Sequence, residues 1–412
     1  MSPKPNGTLI PRRDLMVAMV GLGSALAGWP AGVAASGRVK PTWLSFGLNV
    51  PSSNTSRFPM TEALIKSRSS SRSDFQIEVS QSIANLLRGS GDLVEFKDSV
   101  DFGSGLLLGA MLDYENILSA RLGASSFQVL HLIGHGVLLS FDQGRGWKMV
   151  SGFPFPVTLL RDSAGGDPQI EAQRYLSEAY TDPRNSFATS FVASVKRLSG
   201  RWRDTERGFN VRVMSAKVHP DADGKLAMWR IQKNINELWL GHLAGAAVCE
   251  GLGIPVVPYQ ETQGLGRFTY KFNDRLVAQN VRLPGDDDID LRLHVTLRNT
   301  ARDVKYRAQF QRWEVTRLVV MDIKAFNDRN EEILSLRCGY QDEQPDTVAR
   351  EEDISPARDA HFFDMAIYRG LVSLFSSIER KDVQGLSKLF VKTDSDSLRA
   401  IENFRSTYQR AI

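Results

Sequence analysis

The chain has 412 residues, 42% hydrophobic and 24% charged, with a net charge of +4 from 51 basic and 47 acidic side chains. This is the composition of an ordinary globular protein: too apolar for disorder, and too evenly charged for basicity alone to imply a nucleic-acid partner. With only two cysteines, a disulfide-dense scaffold and a four-cysteine zinc site are both excluded.

Residues 1–35 open with Arg12 and Arg13, followed by an apolar run from Leu15 to Trp29 and the small residues Val33-Ala34-Ala35. Charged, apolar and small-residue regions in that order are the layout of an export signal. The segment Pro11-Arg12-Arg13-Asp14-Leu15-Met16-Val17 resembles twin-arginine signals. Both arginines match, Leu15 and Met16 are apolar as required, and Pro11 and Val17 depart from the pattern. The resemblance implies a leader cleaved after about residue 35 and an exported, periplasmic mature protein. The run is about 15 residues and broken by Gly21, Gly23 and Gly28, short of the ~20 needed to span a bilayer. No later stretch is longer, so no membrane-spanning segment is expected in the mature chain.

After a short linker, Thr42 to Val50 alternates as a half-buried strand, and the serine-rich Pro51 to Ser73 reads as a loop. Asp74 is placed to cap a helix carrying Phe75, Val79, Ile83 and Leu87 on one face and closed by Gly89. Leu93 to Phe96 reads as a short strand and Met111 to Arg121 as a helix. Gln128 to Phe141 and Trp147 to Leu160 form a predicted hairpin turning at 142–146. Asp167-Pro168 and Asp182-Pro183 each offer an acidic cap followed by proline at the first helical position.

From Phe209 the pattern runs strand, a helix from Met228 to Glu250, and a strand from Ile254 to Tyr259. Strands follow at Arg267–Phe272, Leu276–Leu283, Ile289–Leu297, Val304–Phe310, Val315–Ala325 and Ile333–Cys338. A helix starting at Ser355-Pro356 and a shorter one near Ser397 to Gln409 close the chain. The expected fold class is α+β with two similar units, each β-α-β followed by antiparallel strands and a helix. They span 42–198 and 209–380, with a helical tail at 381–412.

The element order of the second unit, with Val319-Val320-Met321-Asp322-Ile323 leading to Glu332-Ile333, resembles periplasmic domains of the TolB amino-terminal and CsgG-like type. That resemblance rests on element order over about 170 residues. It implies an envelope α+β domain used in assembly, and no catalytic residues.

His131 and His135 are the candidate metal ligands. Their spacing puts both on one face of a strand but ~13 Å apart, too far for one ion. The glutamate a zinc protease needs after the first histidine is replaced by Leu132. His242 reads as a core or boundary histidine, and His361 has no recognisable partner. Asp286-Asp287-Asp288-Ile289-Asp290 reads as a solvated acidic turn. Cys249 and Cys338 are either a disulfide, worth roughly 4 kcal/mol for so long a loop, or two small buried hydrophobes. No nucleophile elbow or dinucleotide loop is present, and no cofactor is expected.

A binding surface is expected where Lys305, Arg307, Arg312 and Trp313 cluster with Arg302, Tyr306, Phe310 and Arg317. Lys305, Arg307 and Gln309 share one strand face in this reading. Outside the cytoplasm, an envelope protein, an anionic polymer or a lipid headgroup suits such a face better than nucleic acid. The sequence therefore leads to an exported, non-enzymatic binding or assembly factor. An exported hydrolase or metal-dependent enzyme, or a small-ligand carrier with a cleft between the units, are the alternatives.

Overall fold

The computed structural model describes residues 40–50, 58–69, 74–97, 105–122, 125–142, 146–163, 168–201, 209–222, 235–259, 266–272, 275–342, 346–348, 351, 354 and 356–409. The export signal with Arg12 and Arg13 lies outside them, as does the turn at 143–145. The fold is α+β. Its described strands are β1 (Thr42–Val50), β2 (Leu107–Leu122), β3 (Ser125–Asp142), β4 (Gly146–Ser163), β5 (Val211–Val218), β6 (Gly266–Phe272), β7 (Arg275–Arg282), β8 (Leu291–Arg307), β9 (Arg312–Asn327), β10 (Glu332–Gln341) and β11 (Asp346–Val348). Its described helices are α1 (Pro59–Ser69), α2 (Phe75–Arg88), α3 (Pro168–Thr181), α4 (Phe187–Leu198), α5 (Ile235–Leu252), α6 (Pro356–Arg380), α7 (Val383–Lys388) and α8 (Ser395–Gln409).

Two sheets organise these elements. The first closes into a barrel in the order β1-β2-β3-β4-β7-β6, and the second runs β10-β9-β8-β5 with β11 paired to β9. The strands of 209–380 are thus divided between the sheets. The β6–β7 hairpin covers the otherwise open edges of β1 and β4, which removes unpaired backbone groups from the barrel rim.

Helices α2 and α4 pack on the barrel strands, α2 on β1 and α4 on β3 and β4. Asp74 caps α2 by accepting from the Gln76 amide at 3.0 Å, and Phe75, Val79, Ile83 and Leu87 form its buried face. Helix α4 starts at Ser186 rather than at Asp182. The Ser186 hydroxyl accepts from the Thr189 amide at 3.3 Å, while Thr189 Oγ1 accepts from the Ser186 amide at 2.7 Å, a reciprocal cap. Its Phe187 packs on Phe46 of β1 (ring centroids 5.3 Å) and on Phe155 of β4 (4.9 Å).

Helices α5 and α6 pack on each other and link the two sheets: α5 meets β4 and β5, and α6 meets β3, β9 and β10. From Trp239 to Cys249 every residue of α5 is buried, so it has no polar stripe and acts as a central helix. A Cβ on Gly251 would stand 2.5 Å from Phe375 Cβ and 3.1 Å from the Val372 carbonyl of α6. Only glycine permits that close helix crossing.

Several expected elements are corrected. Residues 111–121 are strand, because β2 pairs with β3 from Leu107 to Leu122 and tertiary pairing overrides the helix propensity of its Leu, Ala and Met residues. The expected loop contains α1, whose first turn is capped from β2 by Glu115: the carboxylate accepts the Met60 and Thr61 amides at 2.9 and 3.0 Å. Residues 291–307 form one strand, not two. The short strands expected around Glu95 and Val256 are single bridges, to Thr42 and Val211.

Candidate functional site

Strand β2 changes register against β3 between Leu112 and Tyr114, leaving Asp113 as the extra residue of a bulge. A bulge turns two successive side chains to one face. Asp113 Oδ2 accordingly lies 3.4 Å from Nδ1 of His242 on α5, and the Tyr114 ring lies 5.2 Å from Trp239 of the same helix. On β3, His135 brings its Nδ1 within 3.4 Å of the same Asp113 oxygen, and its Nε2 stands 3.4 Å from the Val256 carbonyl. Asn49 of β1 donates to Asp113 Oδ1 at 2.6 Å.

This cluster is sealed, since Asp113 and His242 are 0% exposed and His135 is 1% exposed. Burial pushes the Asp113 carboxyl up, but the charge of His242, the hydrogen bond and charge of His135 and the Asn49 amide outweigh it. The net result holds it well below the usual carboxylate range. The group is a buried carboxylate between two imidazoles.

His131 lies four residues earlier on the same strand, opposite Asn116 and Thr158, and belongs to a second cluster. Its Nε2 is 3.3 Å from Oδ2 of Asp364 on α6, and its ring is 4.9 Å from Trp239. Burial, with His361 adding to it, lowers the His131 pKa to about 3. Burial raises that of Asp364 to about 7, with Trp239 acting in the opposite direction. Here the imidazole is neutral and the carboxyl keeps its proton up to neutral pH.

The opposite face of β3 explains its glycines. A Cβ on Gly134 would fall 2.1 Å from the Phe155 ring, and one on Gly136 only 1.9 Å from the Phe153 ring. Two rings of β4 lie across β3 there and meet α4, while His135, between the glycines, and His131, three residues before them, turn to the other face, towards α5 and α6. The sequence identified His131 and His135 but joined neither to its carboxylate. Among the described residues no group of three or more His, Cys, Asp or Glu is placed to hold a metal ion.

Of the two readings open for Cys249 and Cys338, the structure has the second: both are free, buried thiols, on α5 and β10. Each is a small hydrophobe in the shared core, and burial, aided by the charge of Asp322, raises the Cys338 thiol to about 12. In the acidic turn Asp286 pairs with Arg212 at 3.0 Å, and Asp290 accepts the Asn210 amide at 2.8 Å, so these carboxylates fasten the start of β5.

The expected binding residues lie on a projecting arm. Strand β8 alternates buried and half-buried from Leu291 to Leu297, and from Ala301 onward its residues are exposed or half-exposed. The facing start of β9 is exposed to half-buried at Arg312–Glu314 but buries Val315 and Arg317, and β11 pairs with it over Trp313–Val315. The tip, Ala308–Phe310, is a short 3-10 turn followed by Gln311 with φ 49°. Behind it the facing pairs are Arg307–Arg312, Tyr306–Trp313 and Lys305–Glu314. Phe310 is 65% and Tyr306 52% exposed, and the Tyr306 and Trp313 rings are 5.2 Å apart. Lys305 and Arg307 stay on the strand, whereas Gln309 falls in the turn.

Arg317 departs from the expected basic cluster. It is 2% exposed and donates to Asp359 Oδ1 of α6 from Nε at 2.9 Å and Nη2 at 2.6 Å. Arg302 bonds the other oxygen of the same carboxylate, and the Arg317 guanidinium stands 4.7 Å from the centroid of the Phe362 ring. These two arginines root the arm on α6. No family model matches the chain, and no curated protein matches it either.

Proposed function

We propose that this chain is an exported, non-enzymatic binding or assembly factor of the cell envelope, and that it engages its partner through the β8–β9 arm. The arm is the observation that carries the reading. Its tip leaves Phe310 65% exposed and sets Arg312, which has no ion pair among the described residues, directly opposite Arg307, more apolar and positive surface than the strand pairing itself uses. An exposed aromatic group ringed by cations is the composition of a contact surface.

The arm's root supports the same reading, since Arg302 and Arg317 converge on Asp359 and hold it at a fixed angle. The export layout around Arg12 and Arg13 supports the compartment. The Asp113–His135–His242 cluster is sealed against substrate, which favours a scaffold over a hydrolase that would use it.

The test is a photo-crosslinking residue at Gln309 in the full-length chain, expressed in cells and followed by fractionation. Arm-dependent crosslinks to envelope components in the exported fraction support the proposal. A protein retained in the cytoplasm, or a purified chain with hydrolytic activity, overturns it.

A further inference from the structure

We infer that the occupant of the arm is an anionic phospholipid surface, into which the tip inserts its aromatic side chains. The inference rests on the arm being the docking element and adds what it docks to.

The layering of side chains along the arm carries it. From the tip inward come exposed Phe310, the cations Arg307 and Arg312, the Tyr306–Trp313 ring pair, and then Lys305 beside Glu314. The outer two rungs and the turn span roughly 10 Å at strand rise, matching the depth to which amphipathic elements enter the headgroup–acyl boundary. Phe310 at the end would enter the acyl region. Tyrosine and tryptophan favour the interface, and arginine can extend its head to the phosphates while its stem lies along apolar surface.

Charge complementarity agrees. Glu314 engages Arg307 through Nη2 at 3.0 Å, while Arg312 is exposed and makes no ion pair among the described residues. Asp303 pairs with Lys305 at 2.6 Å in the same way, so Arg312 is the cation of the tip left open to an anion supplied from outside. A bilayer presents phosphates on all sides of an inserted hairpin, so Arg312 would meet one whichever way the tip turns.

The experiment uses the full-length protein with vesicles of phosphatidylglycerol or of phosphatidylcholine, read by co-sedimentation. An environment-sensitive fluorophore on Gln309→Cys reports insertion, because the native thiols are buried. At low salt, binding to phosphatidylglycerol at least tenfold tighter than to phosphatidylcholine is expected, together with a blue shift of the label. Phe310→Ser, and separately Arg307→Glu with Arg312→Glu, should each weaken binding about tenfold or more with the melting curve unchanged.

Equal binding to both lipids, an unshifted label, or a Phe310→Ser variant that binds as the parent does overturns the inference. Crosslinks from Gln309 to an envelope protein without vesicle binding overturn it too, but leave the arm as a docking element. Loss of both vesicle binding and crosslinks removes both readings.

Discussion

Asp113 Oδ2 and His242 Nδ1 face each other at 3.4 Å with neither residue exposed, joining a bulge in β2 to the central helix α5. The contact holds a charge at the junction of barrel and helix layer, and His135 and Asn49 complete its surroundings. Removing one side of a buried charge pair costs about 3–5 kcal/mol, because the other is left uncompensated. Asp113→Ala should therefore lower unfolding stability by about that amount in urea at pH 7. Asp113→Asn should cost less, since the amide keeps the contact with one ring. A change within about 0.5 kcal/mol for Asp113→Ala would show that the cluster contributes nothing net.

The second cluster predicts a hidden pH dependence. Asp364 has a folded pKa of about 7 against about 4 unfolded, so its contribution is full below pH 4 and lost as pH rises to 7. His131 is the reverse. Its folded pKa of about 3 lies below an unfolded value near 6.5, so its contribution is full above pH 6.5 and lost as pH falls towards 3. Between about pH 4 and 6.5 the folded pair holds one proton on Asp364 and the unfolded pair holds one on the histidine, so the two dependences cancel. Single substitutions separate them. His131→Gln should lose stability as pH rises from 4 to 7, and Asp364→Asn as pH falls from 6.5 to 3, each by up to roughly 4 kcal/mol. Denaturant midpoints across that range measure both, and parallel profiles for the two variants would refute the assignment.

How much of this was legible follows from where each signal resides. The cap at Asp74, the helix start at Pro168, the β3–β4 hairpin and the long amphipathic α6 depend on local pattern, and all lie close to where the sequence puts them. Strand β2 was not legible, because its identity comes from pairing with β1 and β3 rather than from its own residues. The same limit hid the clusters. His131 and His135 stand out in the chain, but Asp364 and His242 reach them from helices more than a hundred residues away, and the bulge that turns Asp113 inward leaves no mark on sequence. The arm's aromatic and basic residues were readable; that β8 runs unbroken from Leu291 to Arg307, and that Arg317 turns into α6, was not.

Glycine at 136 is required by shape rather than by backbone angle. An added methyl would overlap the Phe153 ring, which lies across β3 on its way to α4. Gly136→Ala should cost about 1–3 kcal/mol as the ring is displaced, and Gly136→Val more. Gly146→Ala is the contrast: no atom lies within 4 Å of its added Cβ, and its φ of 76° alone is strained, for roughly 1 kcal/mol. Thermal unfolding of the three variants ranks the effects, and the reverse order would contradict the packing described.

The buried thiols give a direct chemical readout. Cys249 and Cys338 are both fully buried in one core and unlinked. A thiol-specific reagent should modify neither in the native protein and both in denaturant, with no change of mobility on reduction. Non-reducing peptide mapping that recovers a Cys249–Cys338 crosslinked peptide would contradict it.

The arm's root is best tested by a double-mutant cycle. Arg317 and Arg302 share the Asp359 carboxylate, so Asp359→Asn leaves a guanidinium that is 2% exposed without its counter-charge. That substitution should cost about 3–5 kcal/mol, and Arg317→Met less, because Arg302 still balances Asp359. In the double variant the remaining apolar contacts with Phe362 and Phe363 favour methionine, so its cost should fall below the sum of the singles by 1 kcal/mol or more. Additive costs would mean that the pair does not act as a unit, and the arm would then be anchored by its strand pairing alone.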